Sequence, residues 1–288
     1  MKEEEIILVD GIPRESFRAI VEESLRYAII SLPFTVDRME LHSLKSRIFN
    51  IAKGKIAEAM FLTFARANNL PVHTSDCRTP FYRPDRRDFI LHHLEWDIKN
   101  NFLFHSGKRL NGYRYTDLPA LVPDKHPGDQ WAKRFERKLD SSNGVAFLFT
   151  FLRWAPRRRQ GIGIFDFDLN PAQQELLARA WAKYKGQPWS EEPFREETFW
   201  HEWDRLNSGT AFCRLQVSDF PVLVIGAYAG ANEFGRFRPI PGNQTFLNGV
   251  LHTRIRNRMA LLKDLPSFAS LFPHLKHNLR LGRFQDIH

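Results

Sequence analysis

The chain is poor in cysteine: Cys77 and Cys213 are the only two in 288 residues. They lie far apart and neither belongs to a C-x-x-C pair, which argues against a disulfide framework and a structural zinc site and for reduced thiols. Long apolar runs are lacking as well. The longest, Val222 to Ala231 and Val145 to Leu152, fall short of the ~20 residues a membrane helix needs, so no membrane partner is expected. The opening Met1-Lys2-Glu3-Glu4-Glu5 is acidic where a secretory signal is positive, so a cytoplasmic location is expected. Neither repeats, low-complexity tracts nor a clear linker break the chain, and one compact domain over residues 1–288 is expected. What is present is a globular composition, 43% hydrophobic and 26% charged.

Acidic residues are outnumbered, with 33 Asp and Glu against 42 Lys and Arg, a net charge of +9. The basic residues are 29 Arg and only 13 Lys. Arg is favoured where planar, two-pronged hydrogen bonding to phosphate matters, so the excess fits a polyanion, nucleic acid first, as well as a solubilising surface. Arg157, Arg158 and Arg159 follow Trp154, joining a phosphate-contacting run to a stacking surface; a solvated turn accounts for them nearly as well. Arg254, Arg256 and Arg258 fall in a segment, Phe246 to Leu262, that reads as a basic helix, around which their spacing spreads them.

Helical periodicity is expected over Pro13 to Ser31, and from a cap at Asp37 towards Asn68. Pro71 to Ser75 reads as a short extended piece. Asp88 to Leu91 and Leu94 to Lys99 read as two strands joined at His92-His93, an antiparallel hairpin. Asp129 caps a helix to about Leu139, and Val145 to Leu152 is a buried strand. Beyond it come a strand at Gly161 to Phe167, a helix from Asn170-Pro171 to about Lys185, a helix over Glu191 to Leu206, and strands at Phe212 to Val217 and Pro221 to Tyr228. The pattern is mixed α/β.

Within it, Asp97-Ile98-Lys99 has a context that separates it from the other acid-x-Lys triplet, Glu136-Arg137-Lys138. In a strand, period-two alternation sends Asp97 and Lys99 to one face and Trp96 and Ile98 to the other; mid-helix, positions two apart diverge. Asp88 opens the partner strand, nine residues before Asp97, so the hairpin can bring the two carboxylates near each other across the pair. Two adjacent carboxylates repel unless a cation lies between them, and oxygen-only ligands, with the Ile98 carbonyl added, suit Mg²⁺. Glu58 lies on an otherwise apolar helical stripe with Ile51, Phe61, Leu62 and Ala65, and a buried acid needs a partner. Two bland readings stand beside these: an ion pair of Glu58 with Lys55 one turn earlier, and a hairpin whose charged side is merely solvated. His201-Glu202-Trp203 lacks the second histidine of a zinc helix, Gly226, Gly230 and Gly235 lack phosphate-loop spacing, and nothing pairs Cys77 with His73 as nucleophile and base.

Taken in order, the helix bearing Glu58, the strands carrying Asp88 and Asp97-Ile98-Lys99, the helix near Asp129 and the strand Val145 to Leu152 resemble the PD-(D/E)xK nuclease superfamily. The likeness covers about residues 38 to 152; residues 153 to 288 would be an extension supplying target recognition or a homodimer surface. It departs in that the Pro-Asp pair is Pro84-Asp85 while Asp88 opens the strand, which leaves Asp85 a rival ligand. The RecB-type Gln-x-x-x-Tyr and an iron–sulfur cysteine set are missing.

The resemblance implies a restriction-endonuclease-like αβββαβ core, a mixed central sheet flanked by helices, with N-terminal helices and a C-terminal α/β extension. It implies a Mg²⁺-dependent nuclease, with Mn²⁺ as substitute, hydrolysing phosphodiester bonds, in DNA before RNA, in a restriction, defence or mobile-element context. Asp88 and Asp97 would bind the ion with the Ile98 carbonyl. Glu58 would hold a water on the ion or help with a second one, and Lys99 would orient the attacking water and offset charge on phosphorus. The competing expectation is a non-catalytic nucleic-acid-binding or assembly protein that keeps the fold.

Overall fold

The computed structural model describes residues 1–35, 41, 43–75, 77, 87–104, 113–124, 145–154, 164–184, 196–206, 214–217, 220–249 and 251–273. Strand β1 (Ile7–Val9) precedes helices α1 (Arg14–Ser31) and α2 (Leu44–Ala67). Then come β2 (Phe89–Leu91), β3 (Leu94–Phe104), β4 (Pro119–Pro123), β5 (Val145–Trp154) and β6 (Phe165–Asp168). Helices α3 (Pro171–Tyr184) and α4 (Glu196–Leu206) lead to β7 (Arg214–Val217), β8 (Val222–Ala229), β9 (Arg238–Ile240), β10 (Gln244–Phe246), β11 (Leu251–Thr253) and β12 (Asn257–Leu261).

The central sheet runs β1-β8-β5-β3-β2. Only β3 and β5 are parallel; the other neighbours are antiparallel, so the sheet is mixed. Its two faces carry different layers. Trp96, Ala146, Leu148, Leu152 and Ile225 point to a core built with Phe17, Leu25, Ile56, Phe61, Leu177 and Trp203 of the four helices. The alternate residues Leu103, Phe147, Phe149, Phe151 and Val224 meet a second, three-stranded sheet ordered β4-β12-β9. A strand buried on both faces reads as an unbroken apolar run, and Val145 to Leu152 is such a strand. On β8 the register shifts opposite Leu148 and Thr150, and Gly226 sits at that irregularity. A Cβ there would lie 2.7 Å from Leu262 Cδ1, just past the end of β12, so any larger residue would have to displace that leucine.

Several expectations are corrected. Helix α2 starts at Leu44, not near Asp37, which lies outside the described residues; Ser43 caps it, its Oγ accepting from the Ser46 N–H at 3.1 Å. Phe246 to Leu262 is not a helix but β10, β11 and β12. Its apolar spacing mimics a helical stripe, yet Asn243, Leu247, Asn248 and Gly249 all take positive φ, which sets turns on both sides of β10. Pro71 to Ser75 forms only a two-way bridge, His73 with Ile90, at the outer side of β2. The expected mixed central sheet flanked by helices is present, with α1 to α4 packed on one of its faces. The expected helix from Asp129 to Leu139 falls outside the described residues. No helix among those described is long and apolar enough to cross a membrane.

Candidate active site

The hairpin of β2 and β3 turns at His92 and His93, with φ of 50° and 62°. Positive φ at both central residues is the signature of the tight hairpin turn whose twist matches the strands, and it fixes the register Phe89 opposite Trp96. Trp96 Nε1 donates to the Leu91 carbonyl at 3.1 Å and its ring stacks on Phe89 at 5.5 Å, which pins that register from the buried face. One residue further out, the Asp88 N–H donates to the Trp96 carbonyl at 2.8 Å. Asp88 therefore sits across from Asp97.

Strand β2 ends there, and the next N–H of β3 on that side is met by a side chain. Asp88 Oδ2 accepts from the Ile98 N–H at 2.6 Å. A strand residue sends its N–H and C=O to the same side, so the Ile98 carbonyl projects towards the same edge. On the face away from α2, Lys99 Nζ lies 2.7 Å from Asp97 Oδ1, both side chains less than one-fifth exposed. Lys99 also stands 5.6 Å from the Phe147 ring centre, a cation over an aromatic face. Glu58 comes from the helix side, at the margin of α2's buried stripe between Phe61 and Ala65. It is paired with Lys55, whose Nζ is 2.7 Å from Glu58 Oε2. The expected ion pair is thus present, and Lys55 is further held over the Tyr27 ring of α1, at 4.6 Å.

Asp88 is where the two sides meet. Its residue is half-buried but its carboxyl group is enclosed, and burial pushes its pKa well above the ordinary carboxylate range. The charges of Glu58 and Asp97 push the same way; Lys55 and the Ile98 N–H pull against them without reversing the direction. Sequence reasoning brought Glu58, Asp88, Asp97 and Lys99 to one neighbourhood, and Asp88 feels both other acids from there. The same cluster reads differently as a metal cage: among the described residues, no three His, Cys, Asp or Glu side chains are arrayed to hold an ion. The reason is visible in the bonding, since Glu58 is turned to Lys55, Asp97 to Lys99 and Asp88 to a backbone N–H.

The donors nonetheless fit a hard cation. They are all oxygens, one is enclosed and crowded by like charge, and Mg²⁺ is commonly held by only one or two carboxylates with waters and phosphate oxygens completing its shell. Asp85, the rival ligand, lies outside the described residues. No family model, curated protein or solved structure matches the chain.

The basic segment divides. Arg157, Arg158 and Arg159 lie outside the described residues. Arg254 is exposed; Arg256 Nη2 and Arg258 Nε lie 3.4 and 3.6 Å from the two oxygens of Asp124. All three follow β11, which packs against β3, the strand of Asp97 and Lys99.

One group escaped sequence reasoning. Lys53 on α2 stands over the rings of Phe49 and Phe102, at 5.0 and 4.5 Å, and burial lowers its pKa to about 8. Its signal was there to find, a lysine on the stripe of Phe49, Ile56 and Met60.

Proposed function

We infer that the protein is a Mg²⁺-dependent nuclease of restriction-endonuclease-like fold, cleaving phosphodiester bonds in DNA. One observation carries the reading. Asp88, enclosed at the end of β2, lies within electrostatic reach of an acid from a helix and an acid from the neighbouring strand, with the lysine two residues further on bonded to that second acid. Burying like charges together is costly, and a bound divalent cation would offset that cost.

Asp88 and Asp97 would hold the ion with the Ile98 carbonyl, and Glu58 would orient a water beside it. When bound, the ion supplies polarisation of the phosphoryl group and stabilisation of the leaving oxygen. Lys99, paired with Asp97 at 2.7 Å, would donate to a non-bridging phosphate oxygen and offset charge that grows in the transition state. The exposed Arg254, with Arg256 and Arg258 beside it, supplies a positive surface for the polynucleotide backbone.

The second reading, a nucleic-acid-binding protein without catalysis, is favoured by the engaged state of all three acids. Incubating the purified chain with supercoiled, linear and single-stranded DNA and with RNA separates the two. Cleavage with Mg²⁺ or Mn²⁺ that Asp97→Asn abolishes, together with Ca²⁺-supported binding without turnover, is the expected result. Salt-sensitive binding with every polynucleotide left intact under both ions would select the second reading.

A further inference from the structure

We propose that Lys55 is a built-in counter-ion that occupies the cation's place beside Glu58, keeping the site's divalent affinity low until a polynucleotide arrives. The proposal rests on the nuclease reading and adds a residue that the motif does not contain. Three acids and two lysines make up the cluster, so the lysines offset most of the acids' charge and leave little to attract a divalent ion. Lys99 belongs to the strand that carries Asp97. Lys55 comes from α2, one turn before Glu58, and is held from two directions: its ammonium is 2.7 Å from Glu58 Oε2 and 4.6 Å from the Tyr27 ring centre.

Its charge reaches past Glu58, for it acts on Asp88 in opposition to the two acids. A cation so placed competes with any second cation for the same carboxylates, and it already holds Glu58 in an ion pair. That accounts for three acids in one neighbourhood forming no ready cage. A phosphate brought by the polynucleotide adds negative charge to the cluster, gives Lys55 an alternative partner and frees Glu58. Ion and polynucleotide then bind with positive coupling, each raising the affinity for the other by the same factor.

The test titrates Mn²⁺ alone into the full chain by calorimetry, then repeats the titration with a duplex oligonucleotide carrying phosphorothioate linkages. A neighbouring charge shifts a carboxylate's proton affinity by about 1–3 log units, so Lys55→Met should bind Mn²⁺ at least about tenfold more tightly than wild type without DNA. The gain from added DNA should shrink by a similar factor. Lys55→Arg, which keeps the charge, should behave as wild type, and Lys55→Gln guards against a folding defect in the Met variant, with thermal melts run on each. Unchanged Mn²⁺ affinity in both neutral variants, with binding still lost in Asp97→Asn, overturns the role of Lys55 and leaves the metal reading standing. Absence of Mn²⁺ binding in wild type and neutral variants alike, with and without DNA, overturns both.

Discussion

Asp88 and Lys53 each stand in an environment that opposes their charge, and each yields a measurable consequence. For Asp88 the folded-state pKa is raised above the ordinary value near 3.8. As pH rises through that value the unfolded chain releases its proton while the folded one retains it, so stability falls with pH until the folded group also ionises. Asp88→Asn removes this loss, and its amide oxygen still accepts the Ile98 N–H. Urea denaturation at neutral pH should show the variant more stable by roughly 1 kcal/mol, while any Mg²⁺-dependent cleavage disappears; a destabilised variant would mean that the carboxylate is not under strain. Lys53 shifts the other way, from 10.5 to about 8. Between those values the unfolded chain holds more protons, so this group's penalty is complete below about pH 8 and vanishes above 10.5. Lys53→Met should therefore stabilise the protein by about 1–3 kcal/mol at pH 7, and the difference should narrow as denaturation is repeated towards pH 10. A gap that stays constant across that range would show that packing, not charge, sets it.

At the scale of elements, the hairpin bearing the site was legible because two signals agreed: alternation over Leu94 to Lys99, and a two-residue gap at His92-His93. The gap itself is chemically odd, since neither residue is the Asn or Gly that positive φ favours. His93→Gly should accordingly stabilise the hairpin by about 0.5–1 kcal/mol with Asp88, Asp97 and Lys99 untouched, read as a higher denaturation midpoint at unchanged slope. His92 is the poorer choice because its ring packs near Phe272, at 5.9 Å. Helices α1 and α3 were equally legible, the latter because Asn170 and Gln173 satisfy each other's backbone N–H, at 2.8 and 3.0 Å. Phe246 to Leu262 was misread for a physical reason. Apolar residues three and four apart suit a helix, but Gly242-Asn243 and Asn248-Gly249 favour positive φ on either side of β10, and β12 beyond them is held by partners distant in sequence, as Arg258 is by Val122. Local pattern carries no information about such pairing. The engagement of Glu58 by Lys55 was open in the sequence. What spacing could not supply is that Glu58 and Asp97 approach Asp88 from opposite sides of the sheet.

At the scale of the molecule, the net charge of +9 matters only where it is left unneutralised. Arg256 and Arg258 share Asp124, so two cations of the basic segment are already partly compensated, whereas Arg254 projects into solvent. A polynucleotide lying along this surface must compete with Asp124 for the paired arginines and, among the described residues, meets no such competitor at Arg254. Removing the competitor should therefore do the opposite of what removing an arginine does. Measured by fluorescence anisotropy across a salt series, in Ca²⁺ to prevent turnover, Arg254→Gln should weaken DNA binding and reduce the slope of log affinity against log salt by about one. Asp124→Asn should strengthen binding at every salt concentration and steepen that slope, because Arg256 and Arg258 then neutralise phosphates instead of a carboxylate. Should both substitutions leave affinity and slope unchanged, the segment after β11 is a solvated surface, and the polynucleotide must be held by cations elsewhere on the chain.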